Sequence, residues 1–336
     1  MIRKNRIKGL LQVDRRSVLL GGAAAVSGLA APAIAQTPLK LRFAALYPDS
    51  HAATKTAARF GQLVTEKTGG KIQFEMFANA SLGNEREAAE GVKSGSIDAA
   101  YSGLGGFGNY VREFGVLELP YLYNSLDEVK GAVDKVSNQL ESKMATNGVE
   151  LAGYLFDGPR VTLSIKPLNS FADFKGLKFR VPQAPLYVQM AQAFGANPTP
   201  IALPEIYTAL QSRIVDAMEG TPTSLFTTKY FEVARNIART DHIFFVAYIG
   251  MNGPLLKGLP ADQQKAIRDA GREASAYNLQ IAKAAVEEDF ARLKSAGVAF
   301  TTPDKAPFRA AVAGMNEKFA TGLGPQAVEL YNAIKR

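Results

Sequence analysis

Residues 157–220 read DGPRVTLSIKPLNSFADFKGLKFRVPQAPLYVQMAQAFGANPTPIALPEIYTALQSRIVDAMEG. Two arginines, Arg160 and Arg180, stand twenty positions apart, each in or beside a short run of strand-forming residues. Arg180 lies in Phe179-Arg180-Val181-Pro182, between apolar residues at the end of such a run. Where strands alternate with helices, the C-terminal ends of the strands face the ligand crevice, so a binding role is expected there. A guanidinium can hold a carboxylate by two parallel, charge-assisted hydrogen bonds. Arg160 follows Gly158-Pro159, which by itself also fits a simple turn.

Outward from this stretch, strand and helix patterns alternate, the signature of an α/β fold. Before it, 39–47, 71–77, 97–101 and 149–156 read as strands. Helical patterns cover 53–64, 84–93 and 126–147, with Gly69-Gly70 and Gly95 as stops. Asp157-Gly158-Pro159 reads as a break. A second set follows, with strands at 160–166, 178–181 and 215–219 and helices at 186–194 and 204–212. The apolar run 237–251 is long enough to return to the first set. Residues 261–296 contain no proline and carry Ile267, Ala270, Ala274, Tyr277, Ile281 and Ala284 at helical spacing. A helix of that length extends roughly 54 Å, longer than one small lobe, and is expected to span two lobes as a spine. Helices at 307–320 and 325–335 close the chain. The expected organisation is lobe I from 36–157 plus 246–285 and lobe II from 158–245 plus 286–336, with a cleft between them.

Residues 1–35 have the layout of an export signal. A basic start is followed by a short apolar stretch rich in Gly and Ala, then Ala33-Ile34-Ala35 before Gln36. Arg15-Arg16 ahead of Ser17-Val18-Leu19 fits a twin-arginine signal, and an ordinary secretory signal is the alternative. The apolar stretch is shorter than the roughly 20 residues of a spanning helix. The whole chain carries +8. Residues 1–35 hold six basic residues and one acid, so 39 basic and 31 acidic residues become 33 and 30, a net of +3. The basic balance thus belongs mostly to the signal and gives no argument for nucleic acid or a membrane surface. With no cysteine, disulfides, thiol catalysis and cysteine metal sites are excluded.

Enzymatic readings find little support. Gly103-Leu104-Gly105-Gly106-Phe107-Gly108 matches a dinucleotide fingerprint, but it follows the third strand rather than the first. It reads better as a loop that lets backbone approach something closely. His51 and His242 are the only histidines. Neither has metal-ligand spacing, and a helix start and a turn are their expected places. There is no G-x-S-x-G elbow and no phosphate loop. Neither a catalytic constellation nor a cofactor is expected.

The order KGLKFRVP, GANPTPIALPEIYTALQ and VDAMEG resembles the solute-binding proteins of TRAP (tripartite ATP-independent periplasmic) transporters. LKLRFAALYP, NASLGNEREAAEGVKSGSIDAAYS, VLELPYLY and KYFEVARNIARTDHIFF extend the resemblance over almost all of the mature chain. It implies a two-lobed fold with three chain crossings, and a periplasmic receptor that hands an organic acid to integral-membrane subunits. Arg180 matches the arginine that grips the ligand carboxylate, and Arg160 a second ligand arginine. Gln183 matches a polar ligand-facing position and Leu203 one that is often aromatic. Gly220, beside Glu219, stands where many members carry an asparagine, and Gly103 where some carry a glutamate. Tyr47 and Glu85 fall in loops expected to face the cleft. Leu203, Gly220 and Gly103 imply a roomy or apolar remainder to the ligand rather than a hydroxyl-rich one such as sialic acid, and a monocarboxylate ahead of a C4-dicarboxylate. Both arginines are expected to be replaceable without loss of the fold, and the protein to be a monomer. An exported enzyme or a sensing subunit are the alternatives.

Overall fold

The computed structural model describes residues 37–335. The export segment, with Arg15-Arg16 and Ala33-Ile34-Ala35, lies outside the described residues. The chain runs β1 (Leu39–Ala44), α1 (Ala52–Lys67), β2 (Ile72–Phe77), α2 (Glu85–Ser94), β3 (Ala99–Ser102), α3 (Leu126–Thr146) and β4 (Val149–Ser164). It continues through β5 (Lys178–Val181), α4 (Pro185–Ala193), β6 (Asn197–Pro200), α5 (Ile206–Gln211), β7 (Ala217–Gly220), α6 (Pro222–Thr227) and β8 (Asn236–Asn252). The last elements are α7 (Gly253–Gly258), α8 (Ala261–Ser295), β9 (Ala299–Thr301), α9 (Ala306–Leu323) and α10 (Pro325–Lys335).

One sheet joins both lobes in the order β2-β1-β3-β8-β4-β7-β5-β6, with β9 beside β8. β2, β1 and β3 are mutually parallel, as are β7, β5 and β6. Between these triplets the long antiparallel strands β4 and β8 pair along most of their length. The beginning of β4 and the end of β8 therefore belong with β3, and their opposite ends with β7 and β9.

The fold corrects the expected break at Asp157-Gly158-Pro159. β4 runs straight through it, and the pairing with β8 shifts register between Phe156 and Pro159 and again between Arg160 and Thr162. These are β-bulges, which tolerate a proline and re-aim the side chains that follow. Gly158 has φ +87°, and a Cβ there would lie 2.4 Å from Val286 Cγ2 of α8, so glycine is required on both counts. In a regular strand, residues three apart face opposite sides. The bulge instead brings Asp157 and Arg160 to the same cavity.

Helix α8 is the expected spine. Its 35 residues extend about 52 Å. Ile267, Ala270 and Ala274 pack in the core beneath β1 and α1, whereas Val286, Phe290 and Leu293 pack with β7, α5 and β4 in the second lobe. The helix lies hard against β4: a Cβ on Gly271 would come 1.7 Å from Ala152 O, and one on Gly153 would come 2.9 Å from Gly271 O. Buried Asn278 accepts a hydrogen bond from Phe156 N at 2.6 Å and donates to Thr56 Oγ1 at 3.1 Å, tying α8 to β4 and α1. A third, larger core runs through α2, α3, α4, α9 and α10. No helix among the described residues is long and apolar enough to cross a membrane.

Candidate functional site

The cavity between the lobes collects strand ends, as the topology requires. Tyr47 follows β1, Gly103 follows β3, Arg180 sits in β5, and Leu155, Asp157 and Arg160 come from β4. His51 and Glu85 enter from the starts of α1 and α2. Phe245 and Ala247 of β8, with Tyr187 of α4 and Leu203, complete the wall.

The local sequence fixes each of these. Asn84 caps α2 by accepting from the Arg86 and Glu87 N–H groups, while Glu87 accepts from Asn84 N, a reciprocal capping box. That sets Glu85, the first residue of the helix, over the glycine loop, where its Oε1 accepts from Gly103 N at 2.6 Å and from Ser102 Oγ at 3.2 Å. A Cβ on Gly105 would lie 2.4 Å from Glu85 Oε2, and one on Gly103 2.9 Å from Phe245 Cζ. The glycine run is thus a loop drawn close around a carboxylate, followed by a short 3-10 turn at Phe107–Asn109. Burial raises the Glu85 carboxyl above its ordinary value, against the lowering effect of the Gly103 and Ser102 bonds and of Arg180.

The two arginines differ sharply. Both are buried, Arg160 5% and Arg180 4% exposed. Arg160 is held by Glu219 of β7: its Nε donates to Oε2 and its Nη2 to Oε1 at 2.8 Å. The guanidinium also lies over the rings of Tyr187 and Phe245, 5.1 and 5.0 Å from their centroids, a cation–π geometry. Burial alone would lower its pKa, but Glu219 overrides that and holds it above the ordinary value. Burial likewise would raise Glu219, yet Arg160 wins and holds the carboxyl at about 2. Behind the pair, His242 Nε2 stands 3.6 Å from Glu219 Oε2, and its Nδ1 is 2.9 Å from Thr240 Oγ1. His242 lies inside β8 rather than in the turn expected for it.

Arg180 has no such partner. Its Nε and Nη2 both donate to the carbonyl of Ile201, at 2.9 and 2.6 Å. Among the described residues no carboxylate lies within ion-pair distance, and its Nη1 makes no hydrogen bond to protein. Burial pulls this guanidinium below its ordinary pKa, although an arginine stays charged. A buried cation without a counter-charge is costly unless an anion arrives.

The other expected site residues divide. Tyr47 lines the cavity, its ring stacked on His51 at 3.9 Å. Leu203 lines it too, and its carbonyl accepts from Tyr230 Oη at 2.9 Å. Gln183 is exposed and lines a second, smaller pocket that shares Glu85, Arg180, Pro182 and Leu203 with the cavity. Glu219 sits behind Arg160. Gly220 does not line the cavity: a Cβ there would face Ser224, Leu225 and Met218, so its room is not ligand room. The expectation that Arg160 could be removed without harm to the fold meets the buried Glu219 pair and needs revising.

Sequence reasoning missed Asp157 and Tyr187. Asp157 is 4% exposed, and its Oδ2 accepts from Thr221 Oγ1 at 2.6 Å. Burial raises its carboxyl to about 7, against the Thr221 bond and Arg160. Tyr187 donates to Glu118, a buried carboxyl that burial pushes up to about 8. His51 stands at the start of α1 as expected, its Nδ1 accepting from Ala53 N at 3.1 Å. It also turns toward the cavity, which the sequence did not suggest.

Residues 43–322 match the family model for bacterial extracellular solute-binding proteins, family 7 (DctP). The chain belongs to this family. A solute-binding protein of Sulfitobacter sp. (strain NAS-14.1) is 32% identical over 79% of this chain and 82% of its own. The 2,3-diketo-L-gulonate-binding periplasmic protein YiaO of Escherichia coli (strain K12) is 29% identical over 92% and 95%. A TRAP periplasmic solute-binding protein from Roseobacter denitrificans, solved with bound β-D-glucuronate, superimposes with a TM-score of 0.84 at 28% identity. That match covers 88% of this chain and 99% of that one. The DctP-family fold is the two-lobed α/β arrangement described above, and a periplasmic, non-enzymatic solute-binding role comes with it.

Proposed function

We propose that this protein captures an organic acid by seating one carboxylate on Arg180 and delivers it to the integral-membrane subunits of a TRAP transporter. The observation that carries the reading is the buried, unneutralised Arg180 guanidinium opening on the cavity. Arg160 has its charge met by Glu219, so among the described residues a single cavity cation is left over, and that favours one anchored carboxylate over two. A dicarboxylate would have to bring its second charge near Glu85 and Asp157. The YiaO relative's 2,3-diketo-L-gulonate and the Roseobacter protein's glucuronate are also acids with one carboxylate.

Closure would bring lobe I, as 36–157 plus 246–285, down on lobe II, as 158–245 plus 286–336, with β4 and β8 bending at their irregular pairing. α10 packs against α3 and so bridges that division. The released mature chain would begin at Gln36 and act as a monomer.

Titration calorimetry with D-glucuronate, D-galacturonate, succinate and phenylacetate, beside neutral D-glucose, tests the reading. Acids should bind and glucose should not. Ligand at 100 times Kd should add about 2.7 kcal/mol to the unfolding free energy. Binding of glucose with no acid bound would overturn it.

A further inference from the structure

Two buried polar atoms on the cavity wall have no hydrogen-bond partner among the described residues: Asp157 Oδ1 and His51 Nε2. They belong to residues that are 4% and 0% exposed, so bulk water does not satisfy them. Their neighbouring atoms are fixed. Asp157 Oδ2 is taken by Thr221 Oγ1 at 2.6 Å. His51 Nδ1 accepts from Ala53 N, which leaves the proton of a neutral ring on Nε2. Burial, helped by Lys55, keeps the ring neutral by lowering its pKa to about 3. Tyr47, stacked at 6° to the imidazole, holds its plane. Nε2 lies 3.6 Å from Oδ2 of Asp157, so the vacant donor neighbours the carboxyl group that carries the vacant oxygen.

We propose that Asp157 and His51 form a hydroxyl-binding subsite, so that the acid held by this protein carries a hydroxyl group as well as its carboxylate. The inference rests on the reading of Arg180 as the carboxylate anchor and adds the chemistry of the rest of the ligand. A hydroxyl both donates and accepts, so it can meet Oδ1 whether that oxygen carries a proton or not, and it can receive the Nε2 proton. An ammonium group has no lone pair for Nε2–H. A second carboxylate would set charge against Asp157. An aliphatic or aromatic group would leave both atoms unpaired, at a cost of about 1–3 kcal/mol for each buried orphan. The apolar remainder suggested by Leu203, Gly103 and Gly220 is thereby replaced. Gly220 does not face the cavity, and Gly103 is filled by Phe245 and Glu85.

The test uses matched acids that differ by hydroxylation: mandelate with phenylacetate, malate with succinate, and D-glucuronate with 4-deoxy-D-glucuronate. Calorimetry on the wild-type protein should show the hydroxylated member ahead by about tenfold or more in at least one pair. Asp157→Asn should erase that preference by weakening the hydroxylated member alone. His51→Asn keeps a good helix cap while removing the ring donor, and should act in the same direction. Ligand-free circular dichroism of both variants checks the fold. The proposal is overturned if the hydroxyl-free acid binds as well in every pair. It is overturned equally if Asp157→Asn and His51→Asn each weaken both members of a pair alike. Failure of the underlying reading looks different: no acid of the six binds, or Arg180→Ala leaves binding unchanged.

Discussion

Arg160 and Arg180 face one cavity from adjacent parts of the same lobe, and both are almost wholly buried. Arg160 is surrounded by its own solution, a two-pronged bond to Glu219 and two aromatic faces. Arg180 has only the carbonyl of Ile201. Burial was accepted for both charges, but only one was neutralised from within. The paired arginine builds the wall, and the unpaired one is the anchor we propose for the ligand carboxylate. Equal burial and equal residue type thus conceal opposite tasks, and the presence of an internal counter-ion separates them.

The comparison can be broken most directly at Arg160. Arg160→Ala strands the Glu219 carboxylate in the core, and removing one partner of a buried pair costs about 3–5 kcal/mol. Urea unfolding of ligand-free protein should show that loss, and an unchanged midpoint would mean the pair is not structural. Arg180→Ala should do the reverse. Ligand-free stability should hold or rise, while calorimetry with the best-binding acid should lose about 2–5 kcal/mol. Arg180→Lys should recover only part, because an ammonium lacks the planar fork.

Acid titration sharpens the contrast. Glu219 is held at about 2 in the fold against an ordinary 4.5. Its contribution is therefore complete above pH 4.5 and is lost as pH falls through about 2. Over that window wild-type stability should fall by up to about 1.4 kcal/mol per pH unit from this group. Glu219→Gln should flatten that limb, read from chemical unfolding at a series of pH values. Asp157 has the opposite sign. Its carboxyl is raised to about 7 from 3.8, so the fold binds the proton more tightly than the unfolded chain. Stability is penalised as pH climbs through that range and fully so above pH 7. Asp157→Asn should accordingly melt higher than wild type at pH 8, by about 2 °C or more, and the gain should vanish near pH 4. A lower melting point at pH 8 would mean Asp157 is already stabilised by something else.

Much of this was legible before any coordinates. Alternation of strand and helix patterns, the spine helix over 261–296 and the return of 237–251 all follow from periodicity, and α8 and β8 occupy those spans within a residue or two. Arg180 could be found because a strand end in an α/β sheet has a known direction. The rest depended on contacts that sequence does not encode locally. Arg160 and Glu219 meet only because β4 and β7 pair with Thr162 opposite Glu219. Asp157-Gly158-Pro159 has turn composition, yet pairing with β8 on both sides holds it as a bulge. Asn197-Pro198-Thr199-Pro200 carries two prolines and still forms β6, because an edge strand can spare the missing donors.

In the closure proposed above, the backbone contact between Gly271 of α8 and Ala152–Gly153 of β4 would make the spine a lever. With no side chain between helix and strand there is no soft layer to absorb a tilt, so this point is the fulcrum. The roughly 24 residues from Gly271 to Ser295 form an arm of about 36 Å. A rotation of about 10° at the fulcrum therefore sweeps the far end through about 6 Å, on the scale of one helical turn. In that closure a few degrees absorbed in the bulges of β4 would be enough gearing to admit a small solute or shut it in.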